Sequence, residues 1–282
     1  MILSKKAIYF ESENALCTWL LARHMANAFQ PSFLAIDEVG RGCLAGDVCV
    51  CASFWMPAET HHPWLPLVRD SKQLSPQKRG VCFEAIQHEY KFDFENLPLS
   101  EDVDMVPGDL CDSPHRIQLP HQAFLPPPRT SRKKVTFQCV SFALGLATAA
   151  EIDGFNIWNA TQLSAARALC TLKTNVDSDD VLKRASLLMD GKHFIKVPKF
   201  FADNVQVAVV NADQIFVTVG FSSVVAKVVR DHHMNLQHSL YPMYGFSAHK
   251  GYGTKKHFEN IKQHGTCVLH RRSFLKNFFV SQ

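Results

Sequence analysis

One stretch decides the fold that this sequence predicts: residues 33–47, which read FLAIDEVGRGCLAGD. Its apolar start, FLAI, predicts a buried strand, and two adjacent acids, Asp37 and Glu38, follow directly. A glycine-rich turn, GRG, then begins at Gly40. Two carboxylates at the end of a buried strand are costly unless a positive partner neutralises them. The stretch therefore predicts a strand, a turn and a charged site in one place.

An acid that closes an apolar run occurs twice more along the chain. Asp190 ends the run in LLMDGK, and Asp213 follows the run in VVNADQ. In an open α/β sheet, groups at the strand ends can converge in one crevice. Four converging carboxylates cannot all stay ionised alone, whereas two divalent cations would neutralise them. Oxygen ligands favour magnesium or manganese over zinc, and a pair of such ions suits in-line phosphoryl transfer, as in a nuclease or a phosphatase.

Each of these acids also has a simpler structural interpretation. Aspartates at strand ends are frequent helix caps and turn formers, and any one of them alone is structural more often than catalytic. Asp37 and Glu38 are harder to explain in this way. Neighbours on a regular strand point to opposite faces, so both acids can serve one site only if the strand ends or bulges there. The glycines of GRG permit such a break.

The rest of the sequence alternates strands with helices, which predicts an α/β fold with the sheet buried between helices. A helix is expected from about Ser75, which is its N-cap and is followed by proline at the first helical position. Further helices are expected across residues 156–172 and from about Ser222, with Lys227 and Arg230 on or near the flank of the last helix that lies opposite its apolar side. The expected strands are residues 33–37, 48–55, 138–146, 186–190 and 206–211.

Residues 95–134 interrupt this alternation. The segment holds seven of the fourteen prolines, too many for a helix or a central strand, because proline lacks a backbone donor and fixes φ. We therefore expect an inserted, largely irregular loop there. The expected organisation is an N-terminal helical leader over residues 1–32, a catalytic domain over 33–219 that carries the insertion, and a basic helical region over 220–282.

Charge and cysteine usage limit the class of protein. The net charge is +4, but residues 220–282 hold nine Lys or Arg and two Asp or Glu, a local charge of +7. This basic quarter suggests a polyanionic partner, although a solvated charged face explains it equally well. The N-terminus lacks the pattern of a signal peptide, and no run approaches the roughly 18 apolar residues of a membrane span. We therefore expect a cytoplasmic protein whose nine cysteines are reduced and mostly buried.

Seven blocks of the sequence resemble, in order and spacing, the type 2 ribonuclease H family, the bacterial and archaeal ribonuclease HII. The resemblance covers about residues 33–94 and 138–275. The proline-rich segment at 95–134 has no counterpart in the usual family pattern. The blocks are AIDEVGRGCLAG, DSKQLSPQKR, EIDGFNIWNAT, LLMDGK, SSVVAKVVRD, YGFSAHKGYGTKKH and HRRSF.

This resemblance implies a ribonuclease H-like fold, a central mixed sheet flanked by helices, with a C-terminal helical extension. It implies an endonuclease, dependent on two Mg²⁺ or Mn²⁺ ions, that cleaves the RNA strand of RNA–DNA hybrids and incises duplex DNA at embedded ribonucleotides. Water would attack the phosphorus and leave 5′-phosphate and 3′-hydroxyl ends. The catalytic and metal-binding residues that the resemblance implies are Asp37, Glu38, Asp190 and Asp213.

The resemblance also gives the glycine-rich turn a role, because glycines let the backbone approach a sugar and its 2′-hydroxyl closely. Tyr252 matches the family tyrosine that stacks on the adjacent deoxyribose and helps to read the RNA–DNA junction. Without the resemblance, it would be interpreted as an aromatic residue of a turn. The expected nucleic-acid contacts are Gly40, Arg41, Gly42 and Tyr252, together with the candidate phosphate contacts Lys72, Lys227, Arg230, His249, Lys250 and Arg271.

The C-terminal tail suggests one further partner. Leu275 is followed by Phe278 and Phe279, the spacing of short motifs that insert into sliding clamps, although the same side chains could pack on the domain itself.

Two other functions stay open: a hybrid-binding protein that has lost catalysis, and a two-metal phosphatase for small substrates, which would leave the basic quarter without a purpose. We expect a monomer.

Overall fold

The computed structural model describes residues 11–22, 32–60, 62–68, 74–95, 97, 105–119 and 135–280. Within these ranges the chain forms a six-stranded mixed sheet that is covered by a long helix on each face. The phosphate contact predicted at Lys72 lies outside the described residues.

The sheet combines parallel and antiparallel pairing. The described strands are β1 (Phe33–Val39), β2 (Val48–Ala58), β3 (Leu110–Cys111), β4 (Arg116–Leu119), β5 (Thr136–Ala147), β6 (Ser186–Asp190), β7 (Val197–Pro198) and β8 (Gln206–Val209). Their order in the main sheet is β4-β8-β6-β1-β2-β5. Neighbours from β4 to β1 pair in parallel, and β2 pairs antiparallel with both β1 and β5. The five strands expected from the sequence are confirmed, with ends shifted by at most three residues.

The helices start for local reasons that the sequence shows in part. The described helices are α1 (Glu11–Ala22), α2 (Pro76–Tyr90), α3 (Ala149–Thr174), α4 (Asp179–Arg184), α5 (Ala212–Ile215), α6 (Val217–Leu240), α7 (Phe246–His249), α8 (Lys255–His264) and α9 (Lys276–Val280). The prediction for α2 is confirmed: the Ser75 hydroxyl accepts the N–H of Lys78, and Pro76 is the first helical residue. Helix α6 begins five residues before the expected Ser222.

Alternate residues of β1 reach two different cores, as a strand with both faces buried requires. Phe33 and Ala35 pack in the core that contains the apolar side of α6. Leu34 and Ile36 pack in the core that contains Leu169 and its neighbours on α3. The strand that carries the first two acids is therefore enclosed on both sides.

The expectation of a largely irregular insertion at 95–134 is wrong for residues 110–111 and 116–119, which form strands. β4 pairs in parallel with β8 from Arg116 to Leu119 and forms the edge of the main sheet. β3 pairs with β7 in a separate two-stranded sheet. Proline does not prevent this, because β4 fits between Pro114 and Pro120, and an edge strand pairs on one side only.

Helix α1, within the expected N-terminal leader, is joined to the body by polar contacts. The Glu13 carboxylate accepts the N–H of Thr218, 3.1 Å away, in the first turn of α6. Asn14 exchanges two hydrogen bonds with the backbone of Val135. Burial raises the pKa of Glu13 to about 7. The proposed boundary between residues 219 and 220 falls inside α6, and the division into regions stays a prediction.

No helix in the described ranges combines the length and the hydropathy needed to cross a membrane. All nine cysteines are free, and six of them are buried.

Candidate active site

Four carboxylates come together where β1 and β6 lie side by side and run parallel. Asp37 and Glu38 lie near the end of β1, Asp190 ends β6, and Asp213 lies in the first turn of α5. Asp37 and Asp213 are buried, with 7% and 3% of their surface exposed. Burial first, and then the charges of the three other acids, raise the pKa of Asp37 well above its ordinary value. The acids that the sequence singled out are therefore close enough to repel one another.

Asp37 and Glu38 reach this site from opposite faces of the sheet. β1 stays regular through both residues, and they pair in register with Cys51 and Val50 of β2. The expectation that the strand ends or bulges at these acids is therefore wrong. Instead, β6 pairs with β1 only as far as Ile36. Side chains from the two faces can meet because the neighbouring strand stops there.

Polar groups of the chain orient three of the acids. The N–H of Ala212 donates to Asp190 Oδ1 at 2.8 Å. A hydrogen bond from the Ser223 side chain opposes the rise in the pKa of Asp37. Arg41 Nη1 donates to Glu38 Oε1 at 3.1 Å. Ser223 was not among the predicted site residues, and its one signal in the sequence is the pair of serines that opens the block SSVVAKVVRD.

The donor set fits a hard divalent cation. It consists of carboxylates alone. Burial, and then the neighbouring acids, raise the pKa of Asp37, and a bound cation would favour its ionised form. As the side chains stand, no group of three or more His, Cys, Asp or Glu residues in the described ranges is arranged to hold a metal ion. Glu38 instead pairs with Arg41. The four acids are candidate ligands that must rotate toward an ion to bind it.

The two glycines of the GRG turn have different structural roles. Gly40 has φ +96°, and a Cβ there would lie 2.3 Å from Arg230 Nε and 2.9 Å from the carbonyl oxygen of Asp47. A Cβ at Gly42 would meet nothing within 4 Å. The fold therefore requires glycine at 40, whereas Gly42 leaves an open approach to its backbone.

Two buried arginines hold the turn and the residues that follow it. Arg271 donates from Nη1 to the carbonyl oxygen of Arg41 at 3.0 Å, and from Nε and Nη2 to that of Gly46 at 2.9 and 2.7 Å. Arg230 donates to three carbonyl oxygens, those of Ala45, Asp47 and Lys250, at 2.9–3.2 Å. Burial of both guanidinium groups excludes water from these bonds. The loop at residues 40–47 is therefore fixed through its backbone.

This placement corrects two of the expected phosphate contacts. Arg230 and Arg271 are 2% and 0% exposed, and their donors are directed at carbonyl groups rather than at the surface. The expectation that Arg230 lies on or near the exposed flank of α6 is wrong, because the helix packs this side against loop 40–47. Sequence periodicity missed this, since an arginine that hydrogen-bonds three carbonyls can occupy a buried position.

The remaining phosphate candidates are half-buried and already have partners. Lys227 Nζ lies 2.8 Å from Asp231 Oδ1 and 5.7 Å from the ring centroid of Tyr252. Lys250 Nζ donates to Asn235 Oδ1 and to the carbonyl of Ser247, both at 2.5 Å. His249 donates from Nε2 to the carbonyl of Tyr244. Lys227 thus faces the ring of Tyr252, the predicted sugar-reading side chain.

Tyr252 is 41% exposed in the turn between α7 and α8, next to the GRG loop. Its hydroxyl hydrogen-bonds the Cys43 thiol, and burial raises its pKa. Its backbone carbonyl accepts a hydrogen bond from His257 Nδ1 at 2.9 Å. The hydroxyl of the ring and the backbone that carries it are therefore both held, while part of the side chain stays exposed.

A pair of buried histidines supports this turn, and their hydrogen bonds define their tautomers. Because His257 Nδ1 donates to the Tyr252 carbonyl, its Nε2 is the acceptor. His270 Nδ1 accepts the N–H of Cys267, so its Nε2 carries the proton that it donates to His257 Nε2 across 3.2 Å. Burial lowers the pKa of both histidines to about 4. Both rings are therefore neutral in the fold.

Comparison with known proteins establishes the family. The family model described as Ribonuclease HII matches residues 34–277. The chain belongs to the ribonuclease HII family. It is therefore a metal-dependent endoribonuclease, and its family and fold support hydrolysis of the RNA strand of RNA–DNA hybrids.

Relatives and solved structures agree with this assignment. Ribonuclease HII of Shewanella pealeana is 32% identical over 242 residues, 86% of this chain and 87% of the relative. That of Ehrlichia chaffeensis is 28% identical over 265 residues, 94% and 93% of the two chains. Ribonuclease H2 of Pyrococcus horikoshii OT3 has a TM-score of 0.53 and 18% identity, and covers 89% of this chain and 100% of its own. The predicted ribonuclease H-like fold is confirmed.

A second solved structure, the complex of PCNA with ribonuclease HII from Archaeoglobus fulgidus, has a TM-score of 0.51 and 16% identity, and covers 86% of this chain and 94% of that one. In the present chain, Leu275 is 0% exposed and packs with Leu44 and Ile261. The ring of Phe278 lies 5.2 Å from that of Phe258. Two of the three residues expected to contact a clamp thus pack on the body of the ribonuclease.

Proposed function

We propose that this ribonuclease HII cleaves the RNA strand of RNA–DNA hybrids and also incises duplex DNA at single embedded ribonucleotides, using two Mg²⁺ or Mn²⁺ ions. The observation that carries the proposal is the convergence of four carboxylates beside a loop with an open glycine. A cluster of this kind suits in-line displacement at a phosphodiester.

Asp37, Glu38, Asp190 and Asp213 would hold the ions. When bound, divalent cations supply an activated water and neutralise the charge that develops on the phosphate. The water oxygen forms a bond to phosphorus as the bond from phosphorus to the 3′-oxygen breaks, and a proton goes to the departing oxygen. The products carry 5′-phosphate and 3′-hydroxyl ends. Within the chain, Ala212 and Ser223 orient the carboxylates of Asp190 and Asp37.

Recognition of the ribonucleotide is assigned to the GRG turn and Tyr252. The open side of Gly42 lets the backbone approach a 2′-hydroxyl, the group that distinguishes RNA from DNA. The exposed side of Tyr252 would stack on the neighbouring deoxyribose. Lys227 and Lys250 would need to leave their present partners to bind phosphates, so the salt dependence of binding tests their contribution.

The deciding experiment follows a labelled DNA duplex that contains one ribonucleotide. We expect wild type to make a single nick with Mg²⁺ or Mn²⁺ and none with excess chelator. Asp190→Asn should lower the rate at least about 100-fold, since even groups that support a metal ligand are worth 10- to 100-fold. Binding of the duplex, followed by fluorescence anisotropy, should change little.

Asp203→Asn, an exposed acid outside the cluster, is the matched control and should nick at the wild-type rate. Normal turnover by Asp190→Asn would refute the proposed site. Binding without any nick under either metal would indicate the alternative, a hybrid-binding protein. Activity that is insensitive to salt but directed at small phosphate esters would indicate a phosphatase.

We also propose a cytoplasmic monomer, in which the nine free thiols stay reduced.

Clamp binding by the tail is a weaker proposal, because Leu275 and Phe278 must first leave the body of the protein. If the tail binds a clamp, Phe278→Ala/Phe279→Ala should abolish its capture in a pull-down with purified clamp. Equal capture of wild type and variant would exclude this tail as the contact.

A further inference from the structure

A small hollow lies beside Glu38 and Asp190 on the face of the sheet covered by α3. Its volume is about 50 Å³, room for a few water molecules rather than for a nucleobase. Apolar side chains of the sheet and of α3 form part of its lining, and Trp158, Lys192 and His193 also border it. An occupant as large as a base must therefore lie across its mouth.

A local break in α3 places Trp158 at this hollow. Asn156 has φ 68° and ψ 163°, and its Oδ1 accepts the N–H groups of Trp158 and Asn159 at 3.0 and 3.1 Å. It therefore caps a second helical segment whose first turn contains Trp158. Trp158 was not among the residues predicted to contact nucleic acid.

Trp158 forms an aromatic and cationic cluster with residues on both sides of it. The guanidinium carbon of Arg41 lies 5.3 Å from the centroid of the Trp158 ring, and the ring of His193 lies 5.5 Å away at an interplanar angle of 68°. Arg41 is also the partner of Glu38. Lys192 and His193 are exposed, in the loop directly after Asp190. Flat rings beside cations, within reach of catalytic carboxylates, are the combination that binds nucleotides by stacking and charge.

The backbone of the GRG loop separates this cluster from Tyr252. The Arg41 side chain extends to Trp158, whereas Cys43, two residues later, hydrogen-bonds Tyr252. A nucleic-acid strand whose ribonucleotide lies on the loop would therefore have one neighbour on the Tyr252 side and the other on the Trp158 side.

We propose that Trp158, His193 and the guanidinium of Arg41 form a stacking subsite for the base of the nucleotide that lies across the scissile phosphate from Tyr252, with Lys192 at its phosphate. This subsite rests on the proposed function and deepens it, because it adds a contact to a base where the turn and the tyrosine contact sugars. Stacking of this kind accepts any of the bases, since every base has a flat face.

The test removes the stacking contact from both sides: Trp158 is replaced in the protein, and one base is removed from the substrate. Two single-ribonucleotide duplexes carry an abasic deoxyribose at one or the other neighbour of the ribonucleotide, and kcat/KM for nicking is measured against the intact duplex. Trp158→Ala should lower kcat/KM on the intact duplex on the order of 10-fold, the size of one lost stacking contact. With the abasic site at one neighbour of the ribonucleotide, wild type and Trp158→Ala should have the same kcat/KM. With the abasic site at the other neighbour, the difference in kcat/KM between them should remain.

Controls separate the subsite from the fold. Trp158→Phe keeps a ring and should retain most of the activity. Phe200→Ala removes another half-buried ring that faces lysines, with Lys173 Nζ 4.7 Å from its centroid, and should show the same rates as wild type on all three duplexes. If Trp158→Ala does not fold, wild type and Trp158→Phe on the abasic duplexes decide: equal rates on all three duplexes would overturn the proposal.

An equal loss for Trp158→Ala on all three duplexes would likewise refute the subsite while leaving the proposed function intact. If wild type nicks no duplex, the proposed function fails instead. Anisotropy with the same duplexes then tests stacking alone: a Trp158-dependent loss of affinity at one abasic position supports the subsite, and its absence excludes it.

Discussion

Single residues in the GRG turn separate what the fold needs from what the substrate needs. Gly40→Ala places a Cβ against Arg230 Nε at a positive φ, so we expect the free energy of unfolding to fall by roughly 2 kcal/mol or more. Gly42→Ala meets no atom within 4 Å and should leave the melting temperature nearly unchanged. It should nevertheless lower kcat/KM on the order of 10- to 100-fold, because the added methyl displaces the sugar.

Thermal denaturation and nicking assays on both variants check this pair. Each variant is the control for the other, since they differ by two positions in the same turn. A Gly42→Ala variant with wild-type kcat/KM would show that the backbone at this position does not approach the substrate.

Among the secondary-structure elements, α3 contains a strained break whose energy is measurable. Asn156 lies in a backbone region that is nearly exclusive to glycine, and such strain costs about 1–3 kcal/mol. Asn156→Gly relieves the strain and loses a few tenths of a kcal/mol of capping, plus about 0.5–1 kcal/mol of chain entropy. We therefore expect it to be at least as stable as wild type.

Asn156→Ala keeps the strain and loses the cap, so its free energy of unfolding should fall by about 1–2 kcal/mol. Urea denaturation of the three proteins measures the order of stability. If the alanine variant is as stable as the glycine variant, the bend in α3 is not held by this residue.

Strand β4 shows how an element can be missed when its stabilisation is remote. Its four residues, RIQL, carry little signal within a proline-rich segment. The strand forms because β8, about ninety residues later in the chain, presents an open edge to it. The physical cause lies in the partner strand and not in the local composition.

Across the entire chain, the buried histidines predict a pH dependence of stability. Because burial lowers the pKa of His257 and His270 from the ordinary 6.5 to about 4, the unfolded chain takes up protons in this range and the folded chain does not. Their contribution to stability is therefore complete above pH 6.5 and declines as the pH falls from 6.5 toward 4.

Replacing His257 or His270 should make the free energy of unfolding depend less steeply on pH. We expect the free energy of unfolding of His257→Gln to depend less on pH than that of wild type between 6.5 and 4, by on the order of 1 kcal/mol. Exposed His88→Gln is the control and should keep the wild-type slope. Comparison of variants is needed because Glu13, whose pKa is raised to about 7, adds a dependence of opposite sign. Parallel curves for wild type and His257→Gln would contradict the lowered pKa of His257.

The sequence by itself determined strands β1, β2, β5, β6 and β8, the long helices and the four acids, because apolar runs closed by acids and turns are local signals. It also carried the motifs that indicate ribonuclease HII. Only the tertiary structure decided how adjacent Asp37 and Glu38 can share a site, since that depends on where β6 stops pairing. The burial of Arg230 and Arg271 and the packing of Leu275 were likewise decided there. A side chain's partners across the fold, and not its own type, set whether it faces solvent, a carbonyl or a substrate.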